Sequence, residues 1–160
     1  MTERKTGCED PLPDHVARWL EAVTKRLQAD LGARGMPSFP ELRGSHRRIL
    51  QMVPPEGIRI TDLATVAGMT KQALGEFVDR LEQSGFVASR RGEHDGRVRL
   101  ISRTARGDSA AKETDRLMAD VERRWREELG GARFDIMKQA LRDLGRDSLR
   151  IQPPPDAARR

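Results

Sequence analysis

TDLATVAGMTKQALGEFVDRLEQSGF, residues 61–86, decides the fold. It holds two short helical patterns separated by Gly68. Thr61 is placed to cap a first helix over Asp62–Ala67, and Thr70 a second over Lys71–Ser84, which Gly85 closes. Threonine suits these positions because its hydroxyl accepts one of the backbone N–H groups that a helix start leaves free, and glycine closes a helix because it enters the left-handed region at no steric cost. In the second helix Leu74, Phe77, Val78 and Leu81 recur at helical spacing, which gathers them on one buried stripe. Two short helices joined by a glycine-containing turn form a helix-turn-helix. The opposite face carries Lys71, Gln72, Gly75, Glu76 and Asp79. A glycine inside a helix costs roughly 1 kcal/mol relative to alanine. Two readings of Gly75 stand side by side: close approach of DNA, or tight packing of another helix. Gln72, near the start of the helix, bears an amide that can read an adenine edge in a major groove.

Downstream of Gly85 the pattern turns from helical to extended. Phe86–Arg91 and Arg97–Arg103 read as two strands around the polar tip Gly92-Glu93-His94-Asp95-Gly96. Between residues 86 and 106, Arg90, Arg91, Arg97, Arg99, Arg103 and Arg106 face only Glu93 and Asp95, a net charge of +4, whereas residues 70–84 carry −1. An arginine-rich hairpin beside a helix-turn-helix has the shape and charge of a wing lying along DNA. A merely solvated hairpin is the weaker reading, because the charge is so concentrated.

Upstream, Leu42–Val53 reads as a helix closed by Pro54 and Pro55, followed by a short extended piece over Gly57–Ile60. Val16, Leu20, Val23, Leu27 and Leu31 form an apolar helical stripe that Gly32 and Gly35 end, and Met36–Pro40 reads as a linker. At the other end Thr104 caps a long helix carrying Leu117, Val121 and Trp125 as far as Gly130-Gly131. A last helix places Phe134, Met137, Leu141 and Leu144 on one stripe, and Pro153-Pro154-Pro155 stops it. The expected organisation is a disordered segment over 1–13, a helix and linker over 14–40, a winged helix-turn-helix over 41–106, further helices over 107–150 and a loose tail over 151–160. The fold class is mainly α with a small β-hairpin wing.

Composition narrows the function. The formal net charge of 160 residues is only +5, so the placement of charge matters more than its sum. Aromatic residues make up 4% and tyrosine is absent, which argues against a single-strand nucleic-acid platform that stacks bases on exposed rings. The lone Cys8 excludes an internal disulfide and fits a reducing, cytoplasmic setting. No apolar stretch reaches membrane-spanning length. His15, His46 and His94 lie at no metal-ligand spacing from one another or from Cys8, and no phosphate loop or nucleophile elbow occurs. The expectation is therefore a protein that is not an enzyme and has neither cofactor nor metal.

Taken in order, Leu63-Ala64, Gly68-Met69-Thr70-Lys71-Gln72, Val78-Asp79-Arg80-Leu81-Glu82, Gly85-Phe86-Val87, Asp95-Gly96-Arg97, and Thr104 with Gly107 resemble the MarR family of bacterial transcription regulators. The resemblance runs from about Pro13 to Leu149. It implies a homodimer in which the first and last helices intertwine, with Val16, Leu20, Val23, Leu27, Leu117, Val121 and Leu141 at the interface. It implies double-stranded DNA as the partner, met by Thr70, Lys71, Gln72, Gly75, Glu76, Arg90, Arg91, His94, Asp95 and Arg97, with Arg97 entering the minor groove and Asp95 bracing it. It also implies a small aromatic or phenolic effector in a cleft lined by Trp19, Phe39, His46, Arg47 and Met52, residues that serve equally well as ordinary packing. The chain departs from the family pattern at Gly75, Glu76, Ser89 and Arg103, which shifts the expected DNA affinity from helix to wing. Some relatives sense oxidants through a cysteine supported by tyrosines. Cys8 has no tyrosine to support it, and an inert thiol is the expectation.

The expected function is thus a repressor on a pseudo-palindromic operator, released by a small molecule. The rivals are an architectural protein with little sequence preference and a protein-interaction module that uses the winged lobe without DNA.

Overall fold

A computed structural model describes residues 14–91 and 99–146, with the backbone alone described at Arg91. The elements in order are α1 (Val16–Arg34), α2 (Gly44–Met52), β1 (Ile58–Arg59), α3 (Ile60–Ala67), α4 (Lys71–Gln83), β2 (Val87–Arg91), β3 (Arg99–Arg103), α5 (Ala105–Leu129) and α6 (Gly131–Gly145). The strands form one antiparallel sheet in the order β1-β3-β2. Ile58 faces Ile101 across β1 and β3, and Ser89 faces Ile101 across β2 and β3. None of the described helices is long and apolar enough to cross a membrane.

The core of the winged lobe forms where α2, α3, α4 and the sheet turn their apolar sides together. Leu50, Val53, Leu63, Leu74, Val78 and Ile101 are fully buried there, joined by Leu81, Phe86 and Val87. Each such side chain contributes roughly 1.5–3 kcal/mol relative to exposure. Two expected caps are present: Ala73 donates its backbone N–H to the Thr70 hydroxyl at 3.2 Å, and Gly107 donates to the Thr104 hydroxyl at 3.1 Å. Gly68 ends α3 in the left-handed region, at φ 64°, its N–H bonded to Ala64 and Thr65.

Three expectations need correction. Thr61 does not cap α3: the helix begins one residue earlier, at Ile60, and Arg59 precedes it without a side-chain cap. Ile60 belongs to the core, and drawing it inward starts the helix there. Met36–Pro40 is not a plain linker: Met36 is buried, Phe39 N–H bonds to the Met36 carbonyl at 2.9 Å, and the Phe39 ring packs edge-on against Phe86 at 5.7 Å. Val121 is fully buried within its own chain and so does not lie on an outer face, and Leu117 is partly buried against the winged-lobe core. The segments 1–13 and 147–160, Cys8 included, lie outside the described residues.

α1 packs along α5 of the same chain. The Trp125 indole N–H donates to Asp30 at 2.7 Å, Arg34 pairs with Asp120 at 2.6 Å, and Arg26 bonds Glu128 at 3.0 Å. This leaves Val16, Trp19, Leu20 and Val23 of α1, with Ile136, Leu141 and Leu144 of α6, as large exposed apolar side chains.

At the start of α5 the backbone of Gly107 lies against the Phe86 carbonyl. A β-carbon there would sit 2.0 Å from that oxygen, whereas one at Gly75 would meet nothing within 4 Å. Gly107→Ala should therefore destabilise the fold by at least about 2 kcal/mol, as overpacking against backbone does. Gly75→Ala should stabilise it by up to about 1 kcal/mol, the ordinary helix-propensity gain. Urea denaturation of both variants checks the pair, and equal effects would contradict the packing described.

Candidate nucleic-acid interface

α4 presents a polar face because its apolar stripe is used inward. Leu74, Val78 and Leu81 are buried, while Lys71, Gln72, Glu76, Asp79 and Arg80 are exposed. Gly75 lies on this open side, which removes tight helix packing as its reason and leaves an open strip of backbone between Gln72 and Glu76. The Thr70 hydroxyl is occupied by the cap. Lys71 and Gln72 project from the first turn of the helix, where the helix dipole favours negative charge.

The strands are fastened to this helix by Arg99. Its Nη2 lies 2.8 Å from Asp79 and 2.9 Å from Glu82, and its Nε donates to the Ser89 hydroxyl at 3.0 Å. Glu82 also accepts the Ser89 N–H at 2.7 Å and the Ser89 hydroxyl at 2.9 Å. Burial opposes ionisation of Glu82, but the two Ser89 bonds and the Arg99 guanidinium overcome it and hold the carboxyl below its ordinary range. Ser89 therefore forms part of the clasp between β2 and α4.

This pairing revises the electrostatic expectation. Arg99 is taken by Asp79 and Glu82, Arg103 lies 2.9 Å from Asp108, and Arg106 pairs with Glu41. Half of the six arginines counted for the hairpin are thus neutralised within the fold. Arg90 is exposed and has no ion-pair partner among the described residues, and on α4 Glu76 remains the unpaired acid. His94, Asp95 and Arg97 lie outside the described residues, as does the Arg91 side chain, and the expected brace between Asp95 and Arg97 falls there.

The five expected effector residues are spread over α1 (Trp19), the segment between α1 and α2 (Phe39) and α2 (His46, Arg47 and Met52). Trp19 is exposed on α1, its indole N–H donated to Asp14. Phe39 and Met52 pack against the winged-lobe core. His46 lies 5.0 Å from the Phe77 ring, centroid to centroid. Arg47 is only 7% exposed, no carboxylate lies within ion-pair distance of it among the described residues, and burial pushes its pKa down. His46 lines a cavity of about 220 Å³ with Glu41, Arg43, Arg80 and Ser84, and a wider hollow of about 700 Å³ lies between α5 and α6. His15, which no sequence argument singled out, caps α1 by accepting the Arg18 N–H at 3.2 Å.

A helix-turn-helix whose second helix is open to solvent and clasped to a two-stranded ribbon defines the winged helix-turn-helix class. Residues 55–98 match the model of the MarR family. Among solved structures it is similar to the reduced form of MarR from E. coli, with 18% identity and a TM-score of 0.72 over 85% of this chain and 98% of that one. It is also similar to the transcriptional regulator PcaV from Streptomyces coelicolor, solved with its natural ligand, at 16% identity and a TM-score of 0.69 over 88% and 97% of the two chains. FabT from Streptococcus pneumoniae, solved in complex with DNA, matches at 14% identity and a TM-score of 0.68 over 82% and 93%. No curated protein matches the chain.

The clasp makes an acid-range prediction. A carboxyl held below its ordinary pKa stabilises the fold above that ordinary value, and the stabilisation is lost as pH falls through the lowered one. Glu82→Gln should cost about 1 kcal/mol at neutral pH, after allowance for partial exposure. The gap between variant and wild type should close as the solution is acidified below the usual carboxylate range. Denaturant midpoints across a pH series measure it, and a gap independent of pH would remove the charge from the explanation.

Proposed function

We propose that this chain is a sequence-specific, DNA-binding transcription regulator that acts as a homodimer and represses by occupying a pseudo-palindromic operator. The observation that carries this reading is the open first half of α4, where Lys71, Gln72 and the uncovered backbone of Gly75 face solvent while Arg99 fixes the helix against β2 and β3. Such a helix fits a major groove, with the strands directed along the adjacent backbone. The likeness of fold to FabT, which was solved in complex with DNA, supports DNA as the partner.

The exposed apolar side chains of α1 and α6 support the dimer. Seven large ones, from Val16 to Leu144, cluster on these two helices, and a soluble chain rarely leaves such a face uncovered. Two reading helices related by a two-fold axis then meet half-sites about one helical turn apart.

Footprinting of genomic fragments bound by the full chain tests the proposal. Expected is protection of a short inverted repeat, with affinity falling steeply as salt rises. Equal affinity for all duplexes would favour an architectural protein, and absence of salt-sensitive binding would favour a protein-interaction module. On the protected site, Gln72→Ala should lose about 1–3 kcal/mol of discrimination between the preferred base and its replacement. Its affinity for random duplex should stay near that of the wild type. Equal losses on both would take Gln72 out of base reading.

The effector reading rests on Arg47. A buried guanidinium without a carboxylate is costly, and the acid group of a small aromatic ligand would relieve that cost. Arg47→Met should therefore raise the stability of the free protein, by about 1 kcal/mol or more. It should also abolish any stabilisation by aromatic acids. Thermal melts with and without benzoate provide the check. A marked loss of stability in the variant would make Arg47 a structural anchor.

A further inference from the structure

We propose that the cavity between the start of α2 and the end of α4 binds a small oxyanion, a phosphate group, through Arg43, His46 and Arg80. The site is separate from Arg47, which lies beside α1 where Gly44 meets Gln28, and it stands whether or not the lobe reads DNA sequence. The cavity has a volume of about 220 Å³, below the range of about 300–1,000 Å³ typical of drug-sized ligands. Its apolar floor is Leu42, Leu81 and Phe86, each 5% exposed or less.

The polar lining is unbalanced. Arg43 comes from the residue preceding α2, His46 from the first turn of α2, and Arg80 from the last turns of α4. Neither arginine has an ion-pair partner among the described residues. The one carboxylate in the lining, Glu41, is engaged by Arg106. Gln83 and Ser84 complete the polar rim. α2 begins without a side-chain cap and with no acid in its first turn, so its first N–H groups add positive potential on the same side.

His46 supplies the independent sign. Its Nε2 is sealed from solvent and has no hydrogen-bond partner. The cheaper arrangement leaves that atom a bare acceptor and puts the proton on Nδ1, which makes Nδ1 the donor of the ring. Burial disfavours protonation of the ring, and Arg80 and then Arg43 add to that effect. An anion between these groups would reverse the two arginine contributions. Binding would then raise the pKa of His46, and by reciprocity the affinity would rise as pH falls through that range.

The test is an imidazole NMR titration of the full chain, with His46 assigned through its contact to the Phe77 ring. Inorganic phosphate is added at an ionic strength held constant with sodium chloride. The titration midpoint of His46 should rise by about half a unit or more. A short random duplex serves as the second probe. A response to inorganic phosphate identifies a free anion as the source, and a response to duplex alone identifies a backbone phosphate of DNA. Either supports the site. Arg80→Gln and, independently, Arg43→Gln should each reduce the response severalfold, with circular dichroism confirming the fold. No movement of His46 with either probe, or equal movement in chloride alone, would overturn the proposal.

Discussion

The carbonyl oxygen of Phe86 is the point on which the rest of the chain depends. The Phe86 N–H closes α4 by bonding the Leu81 carbonyl at 2.8 Å. Its own carbonyl accepts the Thr104 N–H at 3.1 Å and the Thr104 hydroxyl at 3.2 Å, and Gly107 lies against it with no room for a side chain. Its ring meets Phe39 on one side and carries the Arg106 guanidinium 4.9 Å from its centroid. One residue thus ties together the end of α4, the start of β2 and the start of α5. α4 and α5 therefore behave as one mechanical unit at this end. A displacement of α5 reaches α4 through a few backbone bonds and not through a flexible linker.

Charge is arranged on the same principle. The hairpin was positive and the helix slightly negative when each was counted along the chain. In space the two excesses meet: Arg99 lies between Asp79 and Glu82, partners 20 and 17 residues away. Partly buried ion pairs of this kind contribute little net stability, but they fix the angle between two elements, because only one arrangement satisfies all the donors. The cost is a smaller free positive charge than composition implies, which leaves Arg90 as the unpaired arginine among the described side chains of β2 and β3.

The local features were legible in the sequence because they obey local chemistry. Thr70 and Thr104 cap the helices they precede, and Gly68 ends the helix it follows. Leu74, Val78 and Leu81 are buried as their spacing requires. What failed depended on partners distant in sequence. Thr61 has the right chemistry for a cap, but the burial of Ile60 starts α3 before it. Met36 looked like part of a linker until Thr114, on α5, met its sulfur at 3.7 Å in the interior. Val121 has the same apolar character as Leu20, and only the packing of α1 on α5 decides that one is buried and the other exposed. The site divides in the same way. The open face of α4 follows from periodicity, whereas the clasp at Ser89 and the isolation of Arg47 require the β2–β3 register and the position of α2.

α2 carries the polar costs that the rest of the fold avoids. Its start is uncapped, Arg47 is buried without a carboxylate, and the Nε2 of His46 is sealed without a partner. An apolar replacement at either residue would serve packing as well or better, so the core does not explain them. α2 is only nine residues long and packs against α3, α4 and α5. Any group that relieves one of these costs does so on a helix that touches both α4 and α5. The free energy gained there is coupled to the relative position of α4 and α5, because α2 packs against both. α2 is thus a short helix with unmet polar groups in contact with both α4 and α5, so a change at those groups is coupled to the spacing of the two longer helices.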